Sequence, residues 1–206
     1  MITVAPVTDF SIFTASTTVD TTTSALVSSF SLSTTGKSFI LSQVRYRPVR
    51  IYQNGAYQQG YHNTTLNFEY GLTAAEAYTV FERDVADATI YTKNFYPATT
   101  KCTQNQFDVL VSLYFFDKNL STLIGNSGIY DIQTAFISGT ASNFTNILMD
   151  TSINRQRNFK EAKIYALGEY GDVIPTAWLR NEGIQYMRAN YPSNFPSVAS
   201  SPMTEQ

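Results

Sequence analysis

Apolar residues between positions 102 and 117 repeat with helical spacing on two faces of one segment. One face carries side chains at i, i+3, i+4, i+7 and i+8, which are Phe107, Leu110, Val111, Tyr114 and Phe115. Much of the opposite face is filled by Val109, Leu113 and Phe116. A helix that is apolar nearly all round is buried. The pattern therefore predicts a central core helix over 104–116, begun by a capping box between Thr103 and Gln106.

Helical patterns also flank this segment, and a strand-like pattern comes before them. A second capping box, Thr73 with Glu76, predicts a helix that ends near residue 92. Residues 39–72 are typical of short strands and turns, because Asn54–Gly55 between two β-prone runs is a strong hairpin signal. Further helices are predicted over 129–137, about 142–150, 158–167 and 177–190. The predicted fold class is α+β, mainly α.

The two ends of the chain differ from this middle part. Ser and Thr occupy 18 of the first 38 positions, and no helical period is visible there. These residues are either a disordered leader or an extended N-terminal arm that becomes ordered against a neighbouring subunit, and their apolar residues favour the arm. The predicted organisation is an arm over 1–38, a domain over 39–192 and a flexible tail over 193–206. Within the domain, a small β lobe covers about 39–72 and a helical lobe about 73–192.

Composition and charge exclude several classes of function. A net charge of −2 and a pI near 5.4 offer no basic surface for nucleic acid. The chain has no 18-residue apolar stretch to span a membrane and no secretion signal at its N-terminus. The single cysteine, Cys102, rules out an intramolecular disulfide, and the single histidine, His62, predicts no metal site. No cofactor is predicted.

The order of several short motifs resembles that of the phage-type lysozymes. The motifs are Gly60-Tyr61-His62, Gly71-Leu72-Thr73, the segment from Val80 to Val85, the block from Thr103 to Tyr114, and Arg155-Gln156-Arg157 with Glu161-Ala162. The resemblance covers roughly residues 38–172. It implies a lysozyme-like fold with a small β lobe and a helical lobe. Muramidase activity on peptidoglycan would follow if the catalytic residues were present.

The two catalytic positions that the resemblance implies carry unsuitable residues. Counted from Tyr52, the acid position is Arg45 and the position of its ionised partner is Asn54. An arginine does not give up a proton near neutral pH, and an asparagine amide carries no charge to stabilise a sugar cation. No Asp or Glu occurs from residue 38 to residue 68, and Tyr46 and Pro48 add bulk. This reading predicts no catalytic residue and a protein that is not an enzyme.

Two carboxyl groups elsewhere, Glu69 and Asp117, are candidates for a relocated site. Capping, exposure to solvent or a salt bridge to Arg83 or Lys118 would explain them without catalysis. The interpretation favoured here is a structural component of a phage virion, in the tail or baseplate, bound through its arm to other virion proteins and to copies of itself. The alternatives are an active muramidase with relocated carboxylates and an inactive peptidoglycan-binding module.

Overall fold

Helices dominate the computed structural model, which describes residues 23–53, 56–64, 71–125, 128–139, 141–150 and 155–170. The α+β, mainly helical prediction is confirmed. The helices are α1 (Thr34–Ser42), α2 (Ala74–Phe95), α3 (Gln104–Asp117), α4 (Ile132–Ser138), α5 (Ala141–Asp150) and α6 (Arg155–Leu167). The strands form antiparallel pairs, namely β1 (Ala25–Leu26) with β4 (Lys101–Cys102), β2 (Arg47–Gln53) with β3 (Ala56–Gly60), and β5 (Thr122–Gly125) with β6 (Gly128–Asp131).

Helix α3 lies at the centre of the core, as its apolar pattern predicts. Every residue from Phe107 to Leu113 is buried, and α1, α2 and α6 pack around the helix. Its start is fixed by the capping box, in which the Thr103 N–H donates to Gln106 Oε1 at 3.1 Å. Because this helix has no solvent-facing side in its middle, polar groups reach solvent only near its two ends.

Helix α1 was not predicted, and it changes the position of the domain boundary. The boundary at residue 38 falls inside this helix, whose Phe39 and Ile40 are buried in the core. Upstream, Val27 is also buried, and the Phe30 ring stacks on Phe107 with centroids 5.7 Å apart. Residues 23–38 therefore pack as part of the domain, because their apolar side chains have a partner within the same chain. Residues 1–22 of the predicted arm lie outside the described residues.

The predicted hairpin is formed by β2 and β3, with Tyr52 directly opposite Tyr57. Its two turn residues lie outside the described part of the chain, as do the predicted helix at 177–190 and the tail at 193–206. The helix predicted over 129–137 begins three residues late, because residues 128–131 form β6. Asp131 then caps α4 by accepting a hydrogen bond from the Thr134 N–H at 2.8 Å. Within the described ranges, no helix is long and apolar enough to cross a membrane.

Candidate functional site

A pocket of about 360 Å³ opens where the turn after β3 meets α2 and the C-terminal end of α3. We call it the junction pocket. Helix α2 supplies its charged residues at i, i+1 and i+4, so that they lie near one another along the helix. The end of α3 supplies aromatic rings and one cation. The lining residues are His62, Asn63, Thr64, Arg83, Asp84, Asp87, Tyr114, Phe115 and Lys118.

Two residues of this lining have left-handed backbone conformations. Among the described residues, only His62 (φ 68°) and Lys118 (φ 52°) combine a positive φ with a side chain. The Cβ atom makes this conformation unfavourable, and the position that ends a helix in this way is usually glycine. Such strained residues cluster at functional sites, where the surrounding structure holds them in place. Both residues lie at the junction pocket, so their strained conformations identify this part of the surface as a candidate functional site.

The four formally charged groups of the junction pocket fall into two kinds. Arg83 and Asp84 are paired, with guanidinium nitrogen and carboxylate oxygen 3.0 Å apart, and the Asn63 amide also donates to Asp84 at 2.5 Å. Asp87 and Lys118 form no ion pair with any described residue. The Lys118 ammonium lies 5.5 Å from the Tyr114 ring centroid and 5.4 Å from that of Phe115. The pocket therefore offers one negative and one positive group to a ligand.

His62 is an uncharged member of the pocket at neutral pH. Its ring packs against Phe115 and Phe116, with centroid distances of 6.1 and 5.2 Å. Burial, reinforced by the nearby Arg157 guanidinium, lowers the pKa of His62 to about 4. A neutral imidazole could bind a metal, but the described residues contain no cluster of three His, Cys, Asp or Glu side chains suited to that role.

Asp117, the last residue of α3, belongs to a second polar cluster, which we call the Asp117 network. Arg157 on α6 donates to the Asp117 carboxylate at 2.7 Å, and its Nε lies 3.4 Å from Glu161 Oε1. The Ser112 hydroxyl donates to the same Glu161 oxygen at 2.6 Å. The other oxygen, Glu161 Oε2, has no hydrogen-bond partner in the described part of the chain. Asp117 and Arg157 also line a pocket of about 210 Å³ beside β5.

Burial controls the proton affinity of this network. It raises the pKa of Asp117, although the Arg157 guanidinium acts in the opposite direction. For the fully buried Glu161, burial likewise outweighs the effect of Arg157 and raises the pKa to about 7. The Asp117 side chain remains 30% exposed, whereas that of Glu161 is inaccessible. Only Asp117 of this network therefore combines a raised pKa with access from solvent.

The structure places the sequence-predicted site residues as follows. Arg45 is exposed in the loop between α1 and β2, whereas Asn54 and Glu69 lie outside the described residues. Of the explanations considered for Asp117, the salt bridge is formed, but with Arg157 and not with Arg83 or Lys118. Cys102 is buried, and burial raises its pKa to about 12, so the thiol is no nucleophile at neutral pH.

The tyrosines of the β lobe serve two purposes. Tyr46 and Tyr61 pack together at the junction, with ring centroids 5.6 Å apart, and Tyr61 continues onto Phe81 of α2. Tyr52 and Tyr57 instead form an outward-facing pair on the hairpin, 65% and 50% exposed. The first pair holds the lobes together. The second presents aromatic surface to solvent, where a sugar ring could stack on it.

Sequence reasoning missed three residues that matter at this junction. Arg157 belongs to one of the lysozyme-like motifs. Its spacing of four residues from Glu161 is typical of an ion pair along one helix and could have predicted this contact. Lys118 and Asp87 gave no comparable signal. The positive φ of Lys118 and the position of Asp87 at the pocket arise only from the packing of α2 against α3.

Comparison with solved structures identifies the fold. The chain is similar to an endolysin from Escherichia coli O157:H7 phage FAHEc1, with a TM-score of 0.51 and 18% identity, covering 69% of this chain and 97% of the endolysin. It is also similar to the muramidase domain of SpmX from Asticaccaulis excentricus, with a TM-score of 0.49 and 19% identity, covering 66% and 97%. A third similar structure is the active form of P1 phage endolysin Lyz, with a TM-score of 0.47 and 17% identity, covering 65% and 83%.

No protein-family model and no curated protein sequence matches the chain. The lysozyme-like fold that the motif order implies is nevertheless confirmed by the endolysin structure. The prediction that the protein is not an enzyme is wrong, because the structure whose fold it shares is that of an endolysin. The residues at positions 45 and 54 exclude a pair of catalytic carboxyl groups at those two positions. They do not exclude catalytic carboxyl groups at other positions of the same fold.

Proposed function

We propose that this protein is a muramidase that acts on peptidoglycan with a relocated acid, Asp117. One observation carries the assignment: Asp117 has a raised pKa and lies partly exposed beside an open pocket. The similar structures named as endolysins and a muramidase domain suggest the substrate. The resemblance in motif order agrees with them.

The proposed chemistry uses the proton of Asp117. A general acid must reach the leaving oxygen while still protonated near working pH, which burial of the carboxyl group favours. Asp117 would protonate the glycosidic oxygen as its bond to the anomeric carbon breaks. Water would then add to the sugar cation and release a proton. Most glycosidases use a second carboxylate at this step, but some rely on the acetamido group of the substrate, which peptidoglycan sugars carry.

Arg157 positions the acid in this proposal. Its guanidinium holds the Asp117 carboxylate at 2.7 Å and lies 4.4 Å above the Phe116 ring centroid. The fixed plane of a guanidinium orients a carboxylate better than a flexible ammonium does. Arg157 is itself held on its other side by Glu161, whose Oε1 lies 3.4 Å from the Arg157 Nε.

The test measures reducing ends released from purified peptidoglycan, and their chemical identity. The unmodified protein should release N-acetylmuramic acid reducing ends. Asp117→Asn should lower the rate at least about a hundredfold, within the range typical of lost general acid catalysis. Glu76→Gln is the matched control, because glutamine also completes a capping box and the residue lines neither pocket. Equal activity in all three proteins would exclude Asp117 as the acid. No activity in any of them would reject the muramidase proposal.

We also propose that the domain is carried on a phage virion, in the tail or baseplate, in contact with other virion proteins and with copies of itself. Exposed apolar pairs on both hairpins support this proposal. Ile124 and Ile129 lie opposite each other on β5 and β6, 60% and 74% exposed, and Tyr52 and Tyr57 form the other pair. Such surface is available for protein contacts. Mass spectrometry of purified virions should detect the chain, and its absence there would reject this location.

A further inference from the structure

We infer that the junction pocket binds the stem peptide of peptidoglycan, with a peptide carboxylate on Lys118 and a peptide ammonium on Asp87. This inference rests on the proposed action on peptidoglycan and adds the part of the substrate that is recognised. Stem peptides contain a diamino acid and free carboxylates, so they carry charges of both signs. The glycan strand between them is built from uncharged sugar rings and amide-linked groups.

The charge arrangement of the pocket carries the first step. Arg83 and Asp84 neutralise each other at 3.0 Å, and the Asn63 amide also donates to Asp84. Lys118 and Asp87 have opposite charges and no ion-pair partner among the described residues, although both line the same pocket. The Lys118 and Asp87 charges attract each other only at a distance, so a peptide that carries both a carboxylate and an ammonium matches the pocket better than a neutral sugar does.

The backbone conformation of Lys118 supports an anionic ligand group beside its side chain. This residue ends α3 with φ at 52°, where glycine would fit without strain. The conformation directs a long cationic side chain over the Tyr114 and Phe115 rings, at the wall of the pocket. Aromatic faces hold an ammonium in place without neutralising it. The ammonium is therefore positioned in advance for an anionic group.

The volume and polarity of the pocket agree with this occupant. At about 360 Å³ it can take a short peptide segment but not several sugar rings. Thr64 and Asn63 add polar groups for peptide amides, while His62 stays uncharged and does not compete with Lys118 for the carboxylate.

The experiment measures binding by isothermal titration calorimetry with three probes. The first is a soluble disaccharide tetrapeptide with a free diamino acid, which a muramidase releases and does not cut further. The second is a peptide-free glycan that keeps its lactyl carboxylates, and the third is an uncharged N-acetylglucosamine tetramer. Lys118→Gln and Asp87→Asn should each weaken binding of the disaccharide tetrapeptide about tenfold. Lys118→Arg should bind within about threefold of the unmodified protein, because it keeps the charge.

Lys101→Gln is the matched control, since it removes one exposed lysine charge outside the pocket. Unchanged disaccharide tetrapeptide binding in Lys118→Gln would overturn the inference while leaving the muramidase proposal intact. An equal loss for the peptide-free glycan would assign Lys118 to lactyl carboxylates and overturn the stem-peptide assignment. If the unmodified protein binds none of the probes, the stem-peptide inference fails, while the muramidase proposal is decided separately by the release of reducing ends. Thermal melting of each variant separates lost binding from lost folding.

Discussion

The two ends of α3 hold carboxyl groups in opposite circumstances. Near its start, Asp108 is buried and accepts hydrogen bonds from the Ser33 N–H and hydroxyl, the Gln104 amide and the Tyr170 hydroxyl. At its end, Asp117 is partly exposed and has one described partner, Arg157. A buried polar group whose partners are all present rigidifies a core. A group with few partners and access to solvent remains available to a ligand. The same helix thus supports the fold at one end and carries the proposed acid at the other.

The sharpest test of this comparison replaces each of the two aspartates with alanine. Asp108→Ala should lower the free energy of unfolding by about 3 kcal/mol or more, because several buried donors each lose an acceptor at about 1–3 kcal/mol. Asp117→Ala should lower it by about 1–2 kcal/mol, since Asp117 is partly exposed and the buried Arg157 keeps Glu161 as a neighbour. Urea denaturation of both variants checks the difference. Losses of equal size would contradict the division between the two ends.

The second test uses pH at the C-terminal end. The pKa of Glu161 is about 7 in the folded protein and near 4.5 when unfolded, so the folded state holds a proton that the unfolded state releases. The contribution of Glu161 to the free energy of unfolding is fully present below pH 4.5 and is lost as pH rises to about 7. The loss should reach about 2–3 kcal/mol. Glu161→Gln should remove most of this decline. If the free energy of unfolding falls equally with pH in both proteins, Glu161 is not the source of the decline.

The third test probes the close packing at the N-terminal end. A Cβ added to Gly36 of α1 would lie 2.5 Å from the Asp108 carboxyl carbon. Gly36→Ala should therefore lower the free energy of unfolding by about 1–3 kcal/mol, although alanine favours helix. Gly71→Ala is the control, because its nearest contact would be an ordinary 3.7 Å to the Pro48 carbonyl oxygen. Stabilisation by Gly36→Ala would mean that α1 lies farther from α3.

The smallest expected effect concerns the backbone of Lys118. Lys118→Gly should stabilise the fold by about 0.5–1 kcal/mol, because glycine adopts a positive φ without strain but is more flexible when unfolded. The melting temperature should rise by about 2 °C. Lys118→Ala keeps the Cβ and should give no gain. A lower melting temperature for Lys118→Gly would show that the lysine side chain stabilises the fold rather than straining it.

The sequence predicts α2 and α3 because both have capping boxes and strong apolar periods. It does not predict α1, whose first residues are Thr34, Thr35 and Gly36, all poor or neutral helix formers. That helix exists because Phe39 and Ile40 find the core and Gly36 fits against Asp108. The site is harder still to predict. The pairing of Asp117 with Arg157 joins positions 40 residues apart, and only the packing of α6 on α3 brings them together.

The motif order predicts the lysozyme-like fold better than it predicts activity. Fold depends on many apolar positions, and substitution of a few leaves the pattern recognisable. Activity depends on one or two carboxyl groups, and their absence at positions 45 and 54 says nothing about carboxyl groups elsewhere on the fold. That Arg45 and Asn54 take no catalytic part stays a prediction. Activity measurements on Arg45→Ala and Asn54→Ala would check it.

The rate at which the single thiol, Cys102, reacts with a labelling reagent can report motion of the N-terminal segment. Cys102 pairs in register with Ala25, and the Val27 N–H donates to the Thr100 carbonyl oxygen at 2.9 Å. Cys102 is itself buried in the core, with 2% of its surface exposed. A thiol-specific reagent can react only when the structure around Cys102 opens, so the rate of labelling reports such openings, separation of β1 from β4 among them. Contact with a neighbouring protein at this segment would register as a change in that rate.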